Sequence, residues 1–229
     1  MSGVAARWAE VRSRVAGACH RAGRAPGEVD FLAVSKLQPV AAVREAYAAG
    51  LRDFGENYAQ ELRDKAAALA AECPDIRWHA IGPLQTNKAR YVAKLAHAFH
   101  ALDRAEVAEE LSRRRTGEPL RVYLEVNLGG EETKSGLLPD AVGALLERVR
   151  ALPGLAPVGL MCLPPLGPDA EASRPYFREL RQLASAHGLS GLSMGTTHDF
   201  AVAVEEGATV VRVGTALFGP RPAGEPRAP

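Results

Sequence analysis

The stretch DFLAVSKLQPVAAVREAYAAGLRDFGE (Asp30–Glu56) contains a strand, a helix and a second strand in one run. The apolar segment DFLAVS is followed by Pro39, and then by a segment with helical spacing of apolar residues that ends at Gly50. A second short apolar segment, LRDFGE, follows directly. A strand, a helix and a strand in this order form the unit of parallel sheets with right-handed crossovers. The stretch therefore predicts an α/β fold.

The same alternation continues along the chain, and a helical segment occupies nearly every gap between strands. The predicted strands are DFLAVS (30–35), LRDFGE (51–56), IRWHAIG (76–82), AFHALD (98–103), LRVYLEVNL (120–128), LAPVGLMCL (155–163), GLSMG (191–195) and TVVRVGT (209–215). Eight βα units in a chain of 229 residues is the number that closes a (β/α)₈ TIM barrel. A doubly wound open sheet is the alternative, because alternation alone does not distinguish the two.

The segments outside the alternating part set the domain boundaries. The first residues, MSGVAARWAEVRSRVAGACHRAGR (1–24), carry apolar side chains at spacings of three and four, which predicts an extra N-terminal amphipathic helix. We expect a single barrel domain over residues 1–218. The tail GPRPAGEPRAP (219–229) is rich in proline and glycine and is predicted to be disordered.

Composition excludes several classes of function. Charged residues make up 24% of the chain, both signs are mixed, and the net charge is +1, which argues against nucleic-acid binding or a membrane-surface patch. No apolar run reaches the length of a membrane span. The three cysteines, Cys19, Cys73 and Cys162, are far apart, so we expect no disulfide framework, no metal site and a cytoplasmic location. No aromatic-rich apolar patch marks a dimer interface, so the expected state is a monomer.

Strands seven and eight both end in small residues and hydroxyls. Ser193, Gly195 and Thr197 lie at the end of strand seven, and Gly214 and Thr215 lie at the end of strand eight. Backbone N–H groups beside glycines and hydroxyls form anion-binding cradles, and barrel enzymes often bind phosphate at these two loops. Helix caps and turns would explain each motif alone. The two motifs together favour a phosphate site.

Lys36 ends the first strand, on the same face of the predicted barrel as the phosphate site. The ordinary interpretation is a strand end with its ammonium group in water. However, burial and a nearby cation such as Arg212 would both lower the pKa of Lys36, which gives the free amine needed to attack an aldehyde. A phosphorylated aldehyde bound there would form an imine with the lysine. Pyridoxal 5′-phosphate (PLP) is the obvious candidate.

Six longer motifs carry a resemblance to a known family. They are FLAVSKLQP, DFGENYAQEL, WHAIGPLQTNKARYV, EVNLGGEETKSGL, GLMCLPP and LSMGTTHDFAVAVEEGATVVRVGTALFG, in this order along the chain. Together, from about Val29 to Gly219, they resemble the pyridoxal phosphate homeostasis proteins. Proteins of that family are single-domain barrels similar to the N-terminal domain of alanine racemase.

The resemblance implies a PLP site with assigned residues. Lys36 is implied to be the Schiff-base lysine, and Arg212 to lie beside the cofactor ring. Asn57 and His79 match positions that line the cofactor. Thr197 stands where the family commonly has serine and supplies the same hydroxyl. The implied phosphate contacts are Ser193, Gly195, Gly214 and Thr215.

The expected function is binding rather than turnover. Arginine has no hydrogen-bond acceptor and does not deprotonate, so Arg212 at the ring nitrogen would favour an unprotonated ring, which is a poor electron sink. A racemase also needs a second acid/base group; in alanine racemases it comes from a second domain, and this chain ends at Pro229. We therefore expect a non-catalytic PLP homeostasis protein that holds PLP as a Schiff base, with PLP-dependent apo-enzymes as candidate recipients. The alternatives are a PLP-dependent amino-acid racemase and a Schiff-base aldolase acting on a phosphorylated aldehyde.

Overall fold

The strands form a closed parallel barrel in the structure, which is a computed structural model and describes residues 3–131 and 133–220. Each strand pairs with the next one along the chain, and the last strand pairs with the first. This confirms the (β/α)₈ TIM barrel, and the open sheet was the wrong alternative. The eight strands of the described part are β1 (Asp30–Val34), β2 (Asp53–Glu56), β3 (Arg77–Ala80), β4 (Ala96–Leu102), β5 (Leu120–Val126), β6 (Leu155–Cys162), β7 (Gly191–Ser193) and β8 (Val210–Val213).

Helices cover the outside of the barrel. In the same residues they are α1 (Val4–Arg21), α2 (Val40–Ala48), α3 (Ala59–Leu69), α4 (Ala89–Leu95), α5 (Ala105–Arg114), α6 (Val142–Arg150), α7 (Arg174–Ala186), α8 (Phe200–Glu205) and α9 (Thr215–Phe218). None of the helices within the described ranges is long and apolar enough to cross a membrane. Several predicted boundaries were wrong by one or two residues: β2 starts at Asp53 rather than at Leu51, and β4 starts directly after α4, at Ala96 rather than at Ala98.

The N-terminal helix α1 lies on the outside of the barrel beside the last helices of the chain. It packs against α2, α8 and α9, and it buries Val4, Val11 and Val15 there. Burying each valine side chain is worth about 1.5–3 kcal/mol. Trp8, on the edge of this face, meets the ring of Phe31 edge-on at a centroid distance of 4.7 Å. The extra helix is therefore part of the barrel's outer layer. Of the predicted disordered tail, Gly219 and Pro220 are described and residues 221–229 lie outside the described part.

The interior of the barrel is unusually polar. Barrel interiors are usually filled with valine, isoleucine and leucine. Here the buried side chains of His79, His100 and Ser193 form a connected group inside the barrel, together with Tyr123 and Arg212. Side chains alternate between the two faces of a strand, so these residues share the inner face with few apolar neighbours from their own strands. This interior connects the two ends of the barrel.

Two glycines bring β6 and β7 close together beside this polar group. Gly159 and Gly191 are paired in the register of the two strands. A Cβ atom on Gly159 would lie 2.1 Å from the carbonyl oxygen of Gly191, and one on Gly191 would lie 3.0 Å from Cε1 of Tyr123. The glycine pair therefore leaves room for the Tyr123 ring, which stacks on His100 at 4.4 Å.

Replacing the first of these glycines by alanine is expected to destabilise the barrel. In Gly159→Ala the new methyl group meets backbone atoms of β7, which cannot rotate away, and such overpacking costs about 1–3 kcal/mol. The matched control is Gly27→Ala, because a Cβ atom there has nothing within 4 Å. The measurement is the free energy of unfolding in urea. Equal stability of the two variants would contradict the close approach of β6 and β7.

Candidate functional site

Lys36 lies at the carboxyl end of the barrel, immediately after β1. The backbone N–H of Ser35 still donates to the carbonyl of Gly55 at 3.0 Å, which continues the pairing of β1 with β2. Lys36 itself is half-buried. The next residue, Leu37, has φ = 60°, which is a left-handed backbone conformation that residues other than glycine rarely adopt. The chain therefore turns sharply at the predicted reactive lysine.

A buried acid–base cluster holds the two neighbours of Lys36. Lys65, which is 5% exposed, donates through Nζ to the carbonyl of Ser35 at 2.6 Å and to Oε1 of Glu56 at 2.9 Å. It also donates to Oε1 of Glu61 at 2.7 Å, and the same oxygen accepts the N–H of Leu37 at 2.7 Å. The hydrogen bond from the N–H of Leu37 to Glu61 stabilises the left-handed conformation of Leu37 and so offsets its strain. The cluster therefore fixes the chain on both sides of the lysine.

The cluster was missed in the sequence interpretation, although one signal was present. Glu61 and Lys65 are four residues apart on α3, a spacing that brings oppositely charged side chains together. Burial raises the pKa of Glu56 to about 7, while the neighbouring Lys65 ammonium opposes that rise. What the sequence could not show is that this pair faces inward, under the turn that carries Lys36.

The loops after β7 and β8 meet each other and the end of β1. The N–H of Ala216 donates to Oγ1 of Thr197 at 3.2 Å, which joins the two loops. A Cβ atom on Gly214 would lie 3.5 Å from Cβ of Val34, two residues before Lys36. The structure thus brings the predicted phosphate loops to the strand that carries the lysine. Thr215 is exposed at the same place.

Gly195 has a conformation that its position requires. Its φ is +89°, and a Cβ atom there would lie 2.5 Å from Cβ of Ala203 on α8. Thr196 turns back, because both its N–H and its hydroxyl bond to Oδ1 of Asp199, at 2.7 and 3.1 Å. Only glycine fits this close approach of the loop to α8, so the loop after β7 has one defined shape.

Asn57 lies at the carboxyl end of β2, as predicted. It lines a cavity of about 360 Å³ together with Tyr58, Lys88 and Arg104, among others. A Cβ atom on Gly82 would lie 2.6 Å from the carbonyl oxygen of Asn57, so the loop after β3 packs directly on it. The structure also places Tyr58 at this end of the barrel, where the sequence interpretation had placed no tyrosine.

His79 and Ser193 depart from the predicted roles. The ring of His79 bonds to Asp53 and lines a cavity of about 220 Å³ near the first residues of β1, β2 and β3, which is the amino end of the barrel. The hydroxyl of Ser193 is fully buried and bonds to Nδ1 of His100 at 2.8 Å. Both side chains point into the interior, because side chains alternate between the two faces of a strand and these two positions lie on the inner face. Neither side chain opens to the carboxyl face.

Arg212 lies in the interior, 4% exposed, between β7 and β6. Its Nη1 donates to the carbonyl oxygen and the hydroxyl of Ser193, at 2.6 and 2.8 Å, and its Nη2 donates to the carbonyl of Cys162 at 2.8 Å. Burial lowers the pKa of Arg212, but a guanidinium group keeps its proton at neutral pH. Burial also raises the pKa of the Cys162 thiol to about 12, so that thiol stays protonated beside the cation.

Glu125 is a second residue that the sequence interpretation missed. It lies near the carboxyl end of β5 and is 7% exposed, and its Oε2 has no hydrogen-bond partner among the described residues. Burial raises the pKa of Glu125 to about 7; the charge of Asp103 adds to the rise and that of Arg212 opposes it. The sequence signal was a carboxylate among apolar residues near the end of β5, in the run YLEV.

Comparison with known proteins defines the class first. The sequence profile of the family described as alanine racemase, N-terminal domain, matches residues 14–222. The alanine racemase of Corynebacterium glutamicum superposes with a TM-score of 0.65 at 19% identity, over 95% of this chain and 62% of that one. The chain is therefore a barrel of the alanine racemase N-terminal type.

Closer relatives define the family. The pyridoxal phosphate homeostasis protein of Pseudomonas aeruginosa is 48% identical over 230 residues, which covers 99% of both chains. The structure of PipY from Synechococcus elongatus with PLP bound is 38% identical, with a TM-score of 0.83, and is matched over 94% of this chain and 100% of that one. This chain belongs to the family of pyridoxal phosphate homeostasis proteins, whose name describes homeostasis rather than a reaction.

Replacing Glu125 by glutamine is expected to change how stability depends on pH. The folded-state pKa of Glu125, about 7, lies above its ordinary value of 4.5, so the folded protein binds the proton more tightly than the unfolded chain. The free energy of unfolding of the parent protein therefore falls, relative to Glu125→Gln, as pH rises from about 4.5 to about 7. The full difference is on the order of 3–4 kcal/mol, at about 1.4 kcal/mol per pKa unit.

The control for this measurement is Glu118→Gln, because Glu118 is exposed before β5. Urea unfolding at a series of pH values gives the stability difference for each variant. A difference for Glu125→Gln that is constant between pH 5 and 8 would contradict the assignment of a buried, titrating carboxyl group.

Proposed function

We propose that this chain binds PLP at the carboxyl end of its barrel, as a Schiff base with Lys36, and serves PLP homeostasis without robust turnover. One observation carries the proposal: the turn with Lys36 lies beside the joined loops after β7 and β8. The likeness to PipY, whose structure has PLP bound, supports the same site in this chain. The cytoplasmic location, the monomeric state and the transfer of PLP to apo-enzymes belong to the proposal.

The residues at this end fit a phosphorylated aldehyde. Lys36 supplies the amine, and Thr197 and Thr215 supply hydroxyl groups. Gly195 and Gly214 carry no side chain, so the backbone can approach an anion closely, and Gly195 has the positive φ that such a turn requires. Asn57 borders the same end of the barrel from β2. For Ser193 we propose a contact through the backbone only, because its hydroxyl is bonded in the interior.

Arg212 gives the reason to expect little turnover. When bound, the pyridine ring of PLP supplies an electron sink, which is strong only if the ring nitrogen is protonated. Arg212 reaches the interior beneath the site and can only donate hydrogen bonds. A donor at the ring nitrogen takes up its lone pair and does not supply a full proton. The side chain is therefore suited to holding the ring and poorly suited to activating it.

Two measurements distinguish the alternative functions. A racemase would exchange the α-proton of an amino acid with deuterium, and Tyr58 is the tyrosine to replace by phenylalanine if exchange is found, because it borders the cavity beside Asn57. An aldolase acting on another phosphorylated aldehyde would lack the visible absorption band of bound PLP. A visible band without α-proton exchange supports homeostasis over both alternatives.

The variant Lys36→Ala is expected to lose covalent PLP binding and to stay folded. The change removes a half-buried side chain at a strand end, so the free energy of unfolding should change by less than about 1 kcal/mol. Borohydride reduction followed by mass spectrometry measures the covalent adduct. The matched control is Lys88→Ala, a lysine that lines the neighbouring cavity at the same end. A Lys36→Ala protein that still carries one reduced adduct would refute the assignment.

Pyridoxal, which lacks the phosphate, is expected to bind at least about 100-fold more weakly than PLP, because charge-assisted hydrogen bonds worth about 1.5–3 kcal/mol each are lost. Equilibrium titration of the absorption band gives both dissociation constants. Thr197→Val serves as the matched variant: it should weaken PLP binding and leave pyridoxal binding unchanged. Equal affinities for the two aldehydes would show that the loops after β7 and β8 do not hold the phosphate.

A further inference from the structure

A continuous chain of hydrogen bonds runs through the interior of the barrel, from Arg212 to the amino end. Arg212 Nη1 lies 2.8 Å from Oγ of Ser193, which lies 2.8 Å from Nδ1 of His100. The other ring nitrogen of His100, Nε2, lies 2.9 Å from Nδ1 of His79. Finally, Nε2 of His79 lies 3.0 Å from Oδ1 of Asp53. We call these five residues the interior chain.

Chemistry fixes the two ends of the interior chain, because Arg212 can only donate and the carboxylate of Asp53 can only accept. The hydroxyl of Ser193 therefore accepts from Arg212, and its own hydrogen is directed to Nδ1 of His100, the other partner of this oxygen among the described residues. Nδ1 of His100 is then an acceptor, and a neutral His100 carries its hydrogen on Nε2. That N–H donates to Nδ1 of His79, so His79 likewise carries its hydrogen on Nε2 and donates it to Asp53. Each residue donates to the next, from the guanidinium group to the carboxylate.

Burial and neighbouring charges set the charge states of His100 and Asp53. Burial keeps the pKa of His100 well below its usual range, so its ring is neutral at physiological pH, and the electrostatic effects of His79 and Arg212 act in the same direction. At the other end, burial would raise the pKa of Asp53, but hydrogen bonds from Arg77 and His79 outweigh it and hold that pKa well below its usual range. Asp53 is therefore a carboxylate, which accepts and does not donate.

Packing also holds the central ring in place. The ring of Tyr123 stacks on His100 at 4.4 Å with an angle of 17° between the planes. The glycine pair of β6 and β7 leaves room for Tyr123, as described above. His100 therefore cannot turn freely to reverse its two nitrogens, and the direction of the chain is preserved.

We propose that the interior chain is a positioning device, in which Asp53 at the amino end fixes the orientation of Arg212 beneath the cofactor site, with His100 as the central positioning residue. The part that concerns the cofactor rests on the proposed function. The interior chain is not a proton wire, because Arg212 does not release its proton. Its effect is to give Ser193 Oγ a single hydrogen direction, so that this oxygen always accepts from Arg212.

The first experiment tests the interior chain in the protein without PLP. Nitrogen-15 NMR of histidine-labelled protein distinguishes the two neutral ring forms and the charged form. We expect both His79 and His100 to be neutral with the hydrogen on Nε2 at pH 7.5. A charged ring, or a hydrogen on Nδ1 of either histidine, would overturn the proposal whatever the protein binds. Tyr123→Phe removes no member of the chain and serves as the assignment control.

The second experiment tests whether the far end acts on the cofactor site. Asp53→Asn weakens the terminal acceptor, and Ser193→Ala breaks the chain beside Arg212; each is expected to weaken PLP binding about threefold to tenfold, as the loss of one hydrogen bond does. Because one break already disconnects the chain, the double variant should be no weaker than the weaker single variant. His97→Asn is the matched control, since His97 lines the same amino-end cavity outside the chain and should leave PLP affinity within twofold.

The outcomes separate the two proposals. If Asp53→Asn behaves like His97→Asn, or if the two single effects add in the double variant, the positioning role is refuted. If the NMR result is as expected and the parent protein binds no PLP, the proposed function fails and the directed interior chain stands. The absorption maximum of bound PLP gives a further readout: it should shift in Asp53→Asn, and a general loss of stability in that variant would not shift it.

Discussion

The pairing of β8 with β1 is the constraint on which the site depends. The register places Leu32 beside Arg212 and Ala33 beside Val213. All strands are parallel, so closing the barrel also closes the ring of loops at its carboxyl end and brings Gly214 to the strand that carries Lys36. A slip of one residue would turn Arg212 from the interior to the helices and would separate the lysine from the two glycine-containing loops. Closure and register therefore decide whether these distant segments form one site.

The buried polar groups in and around the barrel differ in charge between its two ends. At the amino end, Asp53 is paired with Arg77, and in the middle His100 is neutral because burial disfavours its charged form. At the carboxyl end, Glu56 and Glu125 both have pKa values raised by burial to about 7. Buried charges are costly unless they are paired, so fully ionised groups occur where a partner or water is at hand. Among the described residues, the carboxyl end combines a buried cation with two carboxyl groups whose pKa values lie near neutral pH.

The sequence predicted the strands because their signal is local. Runs of apolar residues bounded by glycine, proline and helical segments identified all eight strands, and the predicted ends differ from the observed ones by one or two residues, as at the starts of β2 and β4. The placement of Lys36 and the two glycine-containing loops at one end of the barrel was also predictable, because the ends of parallel strands meet at one face. The direction of the inner side chains was not predictable to the same extent. Ser193 is the last residue of β7, and His79 is one residue from the end of β3. Side chains alternate between the two faces of a strand, so an error of one residue in a predicted strand changes the face to which each side chain is assigned.

The contacts that the sequence could not show are those between distant segments. Asp53 and Ser193 are 140 positions apart, and no spacing relates either of them to His100; only the closed barrel brings the three side chains onto one axis. The same fold, at 19% identity, belongs to an alanine racemase, so the barrel by itself does not decide between holding a cofactor and activating it. That distinction lies in what the protein offers to the ring. Arg212 already donates to Ser193 and Cys162 inside the barrel, and its remaining N–H groups are what it can offer to a ligand. In our proposal, an arginine held in this way keeps the ring in place while giving it no proton.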